Sequence, residues 1–408
     1  MQIKNKRRYV YLLIGCIVLL VFAFGVFLII KLTHFDTKIE DLADEIMSSD
    51  ACTEENTTFT VSPIDVDNIT SITPLGNLNP SGHTFPTGHM YFNIRQKNPG
   101  EFGSPTIEAK LYAPIDATID NINVMTHTNA NPPSTDYSIN FRTCEDFTFY
   151  FIHATSLSDK ILNEIDLEEG DCDTYSTGGR DYQNCWKEVD IDVEAGEVIG
   201  TVGSGIRSNF DFGVVDFRIS PYTYANPARW EMREDMFYEV CSTDYYAGEL
   251  KQVLESKLGD FDGNQRTIEP ICGSLAQDVP GTAQGIWILS GTEEVISEDP
   301  HMALVHDNFD PGIGVFSIGT SVEDIGIKSG TYRFDPASSG SVNLDFNLVK
   351  PGNQTFCYEV GGSFHDQDNS FSILIQLVSE NTLRIGPLYS PSCGVEPWSL
   401  NDYVEFER

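Results

Sequence analysis

The chain has 408 residues and carries 61 acidic against 25 basic side chains, which gives a formal net charge of -36 at pH 7. A protein this negative is repelled by nucleic acid and by anionic lipid surfaces, and we therefore exclude nucleic acid as a partner of its outer part. Its length leaves room for two ordinary domains in addition to a membrane segment.

The N-terminal segment contains a long apolar run without charges, Tyr9–Ile30, which directly follows a cluster of basic residues. A helix of this length spans roughly 33 Å, which is enough to cross a bilayer. Basic residues on the N-terminal side favour a cytoplasmic N-terminus. We therefore predict that residues 1–31 form a cytoplasmic tip and a single transmembrane anchor in the plasma membrane, with the bulk of the chain outside.

The cysteines suggest an oxidising compartment, because eight of the nine lie beyond the apolar run and an even number outside the membrane indicates disulfides. A cysteine-bound zinc cluster is the alternative, but no C-x-x-C spacing occurs. Pairing neighbours in the sequence predicts three bridges and leaves a fourth: Cys172–Cys185, Cys241–Cys272, Cys357–Cys393 and, by remainder, Cys52–Cys144.

The chain outside the membrane is expected to be mainly β. Residues 32–70 have the composition of a polar stalk. Residues 71–224 form short alternating runs separated by Gly, Pro, Asn and Asp, which is typical of strands. Residues 225–280 contain an amphipathic pattern over Asp244–Leu258, so we predict a disulfide-stapled helical connector.

Residues 281–408 return to alternation and predict an antiparallel β barrel or sandwich. Eight runs carry the pattern: Gly285–Leu289, Met302–Val305, Gly314–Ile318, Gly330–Phe334, Val342–Leu348, Thr355–Val360, Phe371–Val378 and Thr382–Ile385. This part of the sequence indicates a β-rich extracellular domain and no particular activity.

Two histidines, His83 and His89, flank a Pro-containing turn that leads into the alternating run Met90–Ile94. Imidazole is the commonest transition-metal ligand near neutral pH. A loop entering a strand can hold two imidazoles near one point, so the pair is a candidate metal site. The alternative is that the two histidines have no ligand and only lie at the surface or pack against neighbouring side chains.

Four further motifs follow in order. They are the strand–turn–strand signal Ala113–Ile119, the apolar strand Phe147–Leu157 with His153 near its end, the Gly-punctuated hairpin Val193–Gly203, and the strand Phe210–Arg218 with an acidic residue among apolar ones. Their order over residues 73–219 resembles the M23 metallopeptidases, the lysostaphin-type zinc endopeptidases that cut peptidoglycan cross-bridges. In that family a metal-binding H-x(3)-D precedes an A-P-x-x-G-x-V turn, a strand ending in H-L carries a catalytic histidine, a V-x-x-G-x-x-I-G-x-x-G hairpin follows, and an H-x-H strand closes the site.

The resemblance implies an M23-like antiparallel β domain and assigns roles by position. It implies that His83 is the first metal ligand and that His153 is the catalytic histidine of the H-L strand. Asp216 falls where the H-x-H strand has its metal-binding histidine. His89 has no counterpart in the family pattern, but it is close to His83, so a rearranged zinc site of His83, His89 and Asp216, with His153 beside it, is the metal-binding interpretation.

The sequence departs from the family pattern at positions that matter for catalysis. Thr87 stands where the family has its carboxylate ligand, and Val214 stands where it has its other catalytic histidine. Hydrolysis needs three protein ligands, an open position for water and histidines that move protons.

Three functions remain open from the sequence. The favoured one is a cell-envelope protein with a divergent, non-peptidase M23-like domain that binds envelope glycan or peptide, or a surface protein. The alternative is a zinc-dependent endopeptidase acting on cell-wall peptides. A third is a surface scaffold whose domains only support assembly.

Overall fold

A computed structural model describes residues 51–408 except 100, 102, 132, 166–170, 205–207, 231–232, 294, 296 and 362–369. The predicted anchor and most of the predicted stalk lie outside the described residues. Among the residues described, no helix has the length and apolar character needed to cross a membrane. Residues Cys52–Arg408 form one unit, to which the following description refers.

The structure is mainly β, with few helices in the described part of the chain. The helices are α1 Asp159–Glu164 and α2 Gly248–Glu255, with 3₁₀ turns at Val66–Asn68, Pro227–Trp230, Glu234–Phe237, Ser242–Tyr245, Thr320–Ile325 and Phe346–Leu348. The strands are β1 Ile69–Thr73, β2 His89–Ile94, β3 Glu108–Tyr112, β4 Ala117–His127, β5 Ser134–Cys144, β6 Phe147–Ala154, β7 Ser156–Leu157, β8 Asp171–Thr177, β9 Arg180–Val193, β10 Val198–Gly203, β11 Asn209–Asp216, β12 Glu239–Val240, β13 Gly285–Leu289, β14 Met302–His306, β15 Gly314–Ile318, β16 Gly330–Phe334, β17 Phe356–Tyr358, β18 Ser372–Ser379, β19 Thr382–Leu388 and β20 Val404–Glu407.

A large antiparallel sheet carries the candidate site. Its strand order is β1-β2-β11-β6-β5-β4-β9-β8, and the short strand β12 also pairs with β11. Strand β2 pairs with β11 as far as Gly213, and β12 continues on the same edge at Val214 and Val215. The start of β2 and the connector strand β12 are therefore neighbours along β11.

The two faces of this sheet differ in chemistry because side chains alternate along each strand. Along β11 the aromatic residues Phe210 and Phe212 point to one face, where they are fully buried. Asp211 and Gly213 point to the other face, together with the directly opposite residue His89. The apolar face is the core side, and the other face is available for polar function.

The core side is closed by an apolar cluster that includes residues from outside the large sheet. A second sheet of order β3-β10-β7 and helix α2 contribute Leu111, Val202 and Leu254 to this cluster. Phe59 lies in its middle, with ring centroids 5.4 Å from those of Phe149 and Phe212. Burying a side chain of this size contributes about 1.5–3 kcal/mol.

The burial of Phe59 corrects the predicted boundary of the stalk. Phe59 is 1% exposed and Ile64 is fully buried, and Cys52 is tied to Cys144 on β5. The described part of the predicted stalk is therefore packed on the large sheet, because its few apolar residues fill the core. The prediction failed because the segment is polar on average.

The predicted hairpin Val193–Gly203 is also corrected. Its two arms are strands β9 and β10 and a tight turn joins them, as expected, but they do not pair with each other. Strand β9 pairs with β4 in the large sheet, whereas β10 pairs with β3 and β7. The turn therefore connects two sheets.

All four predicted disulfides are confirmed: Cys52–Cys144, Cys172–Cys185, Cys241–Cys272 and Cys357–Cys393. The helix predicted over Asp244–Leu258 is present in shortened form, as a 3₁₀ turn followed by α2. Four disulfides indicate an extracytoplasmic location, because such bonds do not persist in a reducing cytosol.

The C-terminal part forms a nearly closed antiparallel barrel of eight strands, in the order β16-β15-β14-β13-β20-β19-β18-β17. A bridge between Arg333 and Gly361 lies at the remaining gap. The predicted bounds of β13, β15 and β16 are confirmed, but the run Val342–Leu348 is not a strand and ends in a 3₁₀ turn. The eighth strand is instead β20 at the C-terminal end.

A separate apolar cluster joins the connector and the barrel to the loop before β2. It contains Phe85 from that loop, Trp230 and Met236 from the connector, and Ile286 and Val305 from the barrel. The ring of Phe85 packs edge-on against Trp230, with centroids 5.5 Å apart. The loop that carries His83 is therefore held between folded elements.

Candidate functional site

A cavity of about 300 Å³ opens on the polar face of the large sheet. Its floor is formed by side chains from adjacent strands, including Asn123 on β4, Asn140 on β5 and Tyr150 on β6. Asn140 lies opposite Tyr150, and Asn123 lies opposite Ser138, which is two residues from Asn140 on β5, so all of these side chains face the same side. The connector and the barrel supply the opposite wall.

Both predicted loop histidines line this cavity, with ring centroids 5.4 Å apart. Residue His89 opens β2, and His83 is fixed by two backbone hydrogen bonds to Asn79. The amide of Phe85 donates to a carboxylate oxygen of Glu298 in the barrel, at 2.9 Å. The sequence prediction that this loop brings the two imidazoles together is confirmed.

Asp211 lies between two of the histidines. Its Oδ2 is 3.5 Å from Nε2 of His89 and 3.4 Å from Nε2 of His153. These distances are longer than a usual N–H···O hydrogen bond. Asp211 is 2% exposed, which makes it a buried acidic centre of the cluster.

A β-bulge aims His153 into this cluster. Regular alternation along β6 would turn His153 toward the core, since Tyr150 and Ile152 already face the cavity. The register with β5 shifts between Tyr137 and Ile139, and His153 adopts a positive φ of 75°. A side chain in this conformation costs about 1–3 kcal/mol, and bulges commonly redirect a residue in this way.

The redirected imidazole has a second carboxylate partner. Its Nδ1 lies 3.0 Å from Oδ2 of Asp136 on β5. A carboxylate at this position fixes the orientation of the ring. His153 therefore has a carboxylate at each of its two nitrogens, Asp136 at one and Asp211 at the other.

The connector contributes a buried carboxylate, Glu239, which is 3% exposed. Its position opposite Val215 on β11 turns it to the cavity side. It lies against Gly88, where a Cβ atom would overlap the carboxylate. Its Oε1 accepts a hydrogen bond of 3.2 Å from the hydroxyl of Tyr150.

Tyr150 itself depends on a glycine. A Cβ atom at Gly213, on the neighbouring strand, would overlap the Tyr150 ring. The lack of a side chain at Gly213 therefore lets the tyrosine lie across β11 and reach the connector. Gly88 and Gly213 together allow the close packing of this part of the cavity.

Burial dominates the ionisation of the cavity carboxylates. It raises the pKa of Glu239 to about 7, and the charge of Asp235 adds to this effect. It also raises the pKa of Glu298 to about 7, against the hydrogen bond from the Phe85 amide. Arg233, which also lines the cavity, lies 3.9 Å from oxygens of both Asp235 and Glu298.

Burial has the opposite effect on the two loop histidines. It lowers the pKa of His83 to about 4, and the positive charges of His153 and Arg233 act in the same direction. Burial also lowers the pKa of His89 well below its ordinary value. Both imidazoles are therefore neutral at pH 7 and can donate and accept hydrogen bonds.

The structure does not bring Asp216 to the histidines. It has the same parity along β11 as Phe210 and Phe212, so it points away from His89. Its carboxylate accepts hydrogen bonds from Arg218 and from Tyr245. Although burial opposes ionisation, these bonds hold the pKa of Asp216 below its ordinary value.

The ligand set that the resemblance implies therefore does not fit a zinc ion in this structure. His83 and His89 share a cavity, but Asp216 lies on the other face of the sheet. Within the described residues, no group of three or more His, Cys, Asp or Glu side chains is arranged to hold a metal ion. The position opposite His89 on β11 is Gly213, which has no side chain to offer.

Comparison with protein-family models, with curated proteins and with solved structures finds no match for this chain. The M23 likeness consequently stays a prediction from the sequence motifs.

Proposed function

We propose that this protein is a single-pass, outward-facing protein of the cell envelope whose first outer domain binds envelope peptide or glycan, or a protein partner, without hydrolysing it. The observation that carries the proposal is the polar cavity of about 300 Å³ on the large sheet. A cavity with convergent polar groups and shifted pKa values is the default binding site of a protein.

The lining suits recognition of a polar chain. Amide side chains of Asn123 and Asn140 and the hydroxyl of Ser138 lie beside the neutral imidazoles of His83 and His89. Such groups donate and accept hydrogen bonds in the directions that hydroxyl and peptide groups require. The cavity therefore has the chemistry of a binding site for hydroxyl-rich or amide-rich ligands.

Two features weigh against hydrolysis. Val214, which the motif places at a catalytic histidine, is fully buried on the core side. Asp211, which instead faces the histidines, is held in a cluster with His89 and His153. This cluster has no imidazole at the position where the family has its second catalytic histidine.

Binding can be tested with the full-length chain in detergent. Soluble fragments from enzymatic digestion of cell wall are titrated into the protein by calorimetry, and the mixture is analysed for cleavage by mass spectrometry. We expect saturable binding without new products and at least tenfold weaker binding by Asn140→Leu. Asn353→Leu, at an exposed asparagine of the barrel, is the matched control. Absence of binding, or equal binding by wild type and Asn140→Leu, would contradict the proposal.

The second candidate is the zinc-dependent endopeptidase that the sequence motifs suggest. It would need Asp211, which lies between His89 and His153, in the donor set in place of Asp216. Nitrogen and oxygen donors of this kind are those that zinc prefers, but the described side chains are not arranged around a common metal position. Measuring the zinc content of the full-length chain after exposure to zinc decides between this candidate and a metal-free binding domain. About one zinc per chain, lost in His89→Ala and Asp211→Ala but kept in Asp216→Ala, would favour this candidate.

A further inference from the structure

The cavity has more hydrogen-bond acceptors than its own donors use. Among the described lining residues there are three carboxylates, those of Asp235, Glu239 and Glu298, and one guanidinium, that of Arg233. The nearest contacts of that guanidinium with Asp235 and Glu298 are both 3.9 Å, longer than a direct hydrogen bond. The wall therefore has a formal excess of negative charge.

Two buried acceptor oxygens in the described lining of the cavity are without a hydrogen-bond partner. They are Oε2 of Glu239 and Oδ1 of Asn123. Glu239 is 3% exposed, so its carboxylate is far from bulk water. Buried polar atoms are nearly always bonded, and an exception in a cavity points to a missing donor.

From these observations we propose that the cavity receives the ammonium group of a peptide. An ammonium offers three donors and one positive charge, which matches the unpartnered acceptors and the excess of carboxylates. This inference rests on the proposed binding function and makes its ligand more specific.

A peptide fits better than an amino sugar. Sugars are commonly recognised by stacking on an open aromatic ring, and Tyr150 is the only tyrosine, phenylalanine or tryptophan among the described lining residues. Its ring lies against Gly213 and its hydroxyl is bonded to Glu239, so one face of the ring is covered and its orientation is fixed. The volume of about 300 Å³ is at the lower end for ligand sites, which suits one amino-acid side chain or chain end.

The test uses the full-length chain in detergent and short peptides that differ only in their amines. Acetyl-Ala-Lys-Ala-amide carries a side-chain amine, Ala-Ala-Ala-amide carries a terminal amine, and acetyl-Ala-Ala-Ala-amide carries none. Glucosamine and N-acetylglucosamine form the sugar arm. We expect one of the amine-bearing peptides to bind at least tenfold more tightly than the amine-free peptide, and Glu239→Gln to abolish this preference.

Controls separate the inference from general electrostatics and from misfolding. Glu188→Gln removes the same charge from an exposed site on β9 and should leave the preference intact. Asp235→Asn is the second variant, expected to reduce the preference if Glu239→Gln does not fold.

Two results would overturn the inference. One is equal affinity for amine-bearing and amine-free peptides, which would leave the binding function in place if cell-wall fragments still bind. The other is an amine preference confined to glucosamine. If the proposed binding function itself is wrong, the result differs from both of these: none of the peptides binds, and the cell-wall fragments do not bind either.

Discussion

Replacing Glu239 by glutamine should stabilise the protein, and more so at high pH than at low pH. Burial raises the pKa of Glu239 from 4.5 to about 7 in the folded state. Below pH 4.5 the group is neutral in both the folded and the unfolded state, and burial has no ionic cost. As the pH rises from 4.5 toward 7, the unfolded state ionises while the folded state keeps its proton, so stability falls across this range and levels off above pH 7, where both states are charged.

The size of the effect follows from the pKa difference. At about 1.4 kcal/mol per pKa unit, a rise from 4.5 to about 7 corresponds to roughly 3.5 kcal/mol when both states are fully ionised. Glutamine keeps the shape and the acceptor for Tyr150 but never ionises. The gain of Glu239→Gln over wild type should therefore be larger at pH 8 than at pH 5 by up to roughly 3 kcal/mol.

The assay is urea unfolding of the full-length chain under non-reducing conditions, followed by tryptophan fluorescence at pH 5 and pH 8. Glu188→Gln, at an exposed position on β9, is the control and should show no such pH-dependent gain. Equal gains for Glu239→Gln at the two pH values, or a loss of stability at pH 8, would refute the assignment of a buried carboxylate at this position.

Two further predictions concern packing and cross-links. Gly213→Ala should lower the free energy of unfolding by about 1–3 kcal/mol and weaken ligand binding, because its Cβ would displace the Tyr150 ring. Gly352→Ala, whose Cβ would meet no atom within 4 Å, is the matched control, and equal losses in the two variants would count against this reasoning. Removing the Cys52–Cys144 bridge with paired serines should cost about 1.7 kcal/mol more than removing Cys172–Cys185, because the bridged residues are 92 rather than 13 apart in sequence. Chemical denaturation of the two double variants measures the difference, and an equal loss would refute the loop-length argument.

Much of the fold could be predicted from local patterns. Alternation identified β13, β15 and β16 with their bounds, because each strand is short, apolar and bounded by turn residues. Sequence proximity was enough to predict three of the disulfides, and the fourth, Cys52–Cys144, followed by remainder. The run Val342–Leu348 alternates as well, but this segment ends in a 3₁₀ turn and β20 takes a place in the barrel instead. Which of the two segments becomes a barrel strand depends on pairing with distant strands, and local alternation gives no information about that pairing.

The acidic member of the site was predictable from strand parity. Along β11, Asp211 alternates with Phe210 and Phe212 and must point away from them, whereas Asp216 has their parity and points to their side. Aligning the strand with the H-x-H motif of the family selected Asp216 as the metal ligand. Parity alone would have selected Asp211, the residue that faces His89.

The remaining site residues could not be predicted locally. Glu239 reaches the cavity through a two-residue strand in the connector, and Glu298 reaches it from a loop of the barrel. Both are ordinary acidic residues in the sequence of a very acidic protein. Only the packing of three distant segments around Phe85 makes them part of one wall.

The central claim is that the cavity on the large sheet is the binding site, and Met236 offers a direct probe. This methionine lines the cavity, whereas Met302 is buried in the core of the barrel. With ¹³C-methyl-labelled methionine in the full-length chain, saturating cell-wall fragments should shift the Met236 methyl signal and leave Met302 unchanged. An unchanged Met236 signal under saturating fragments would contradict the claim.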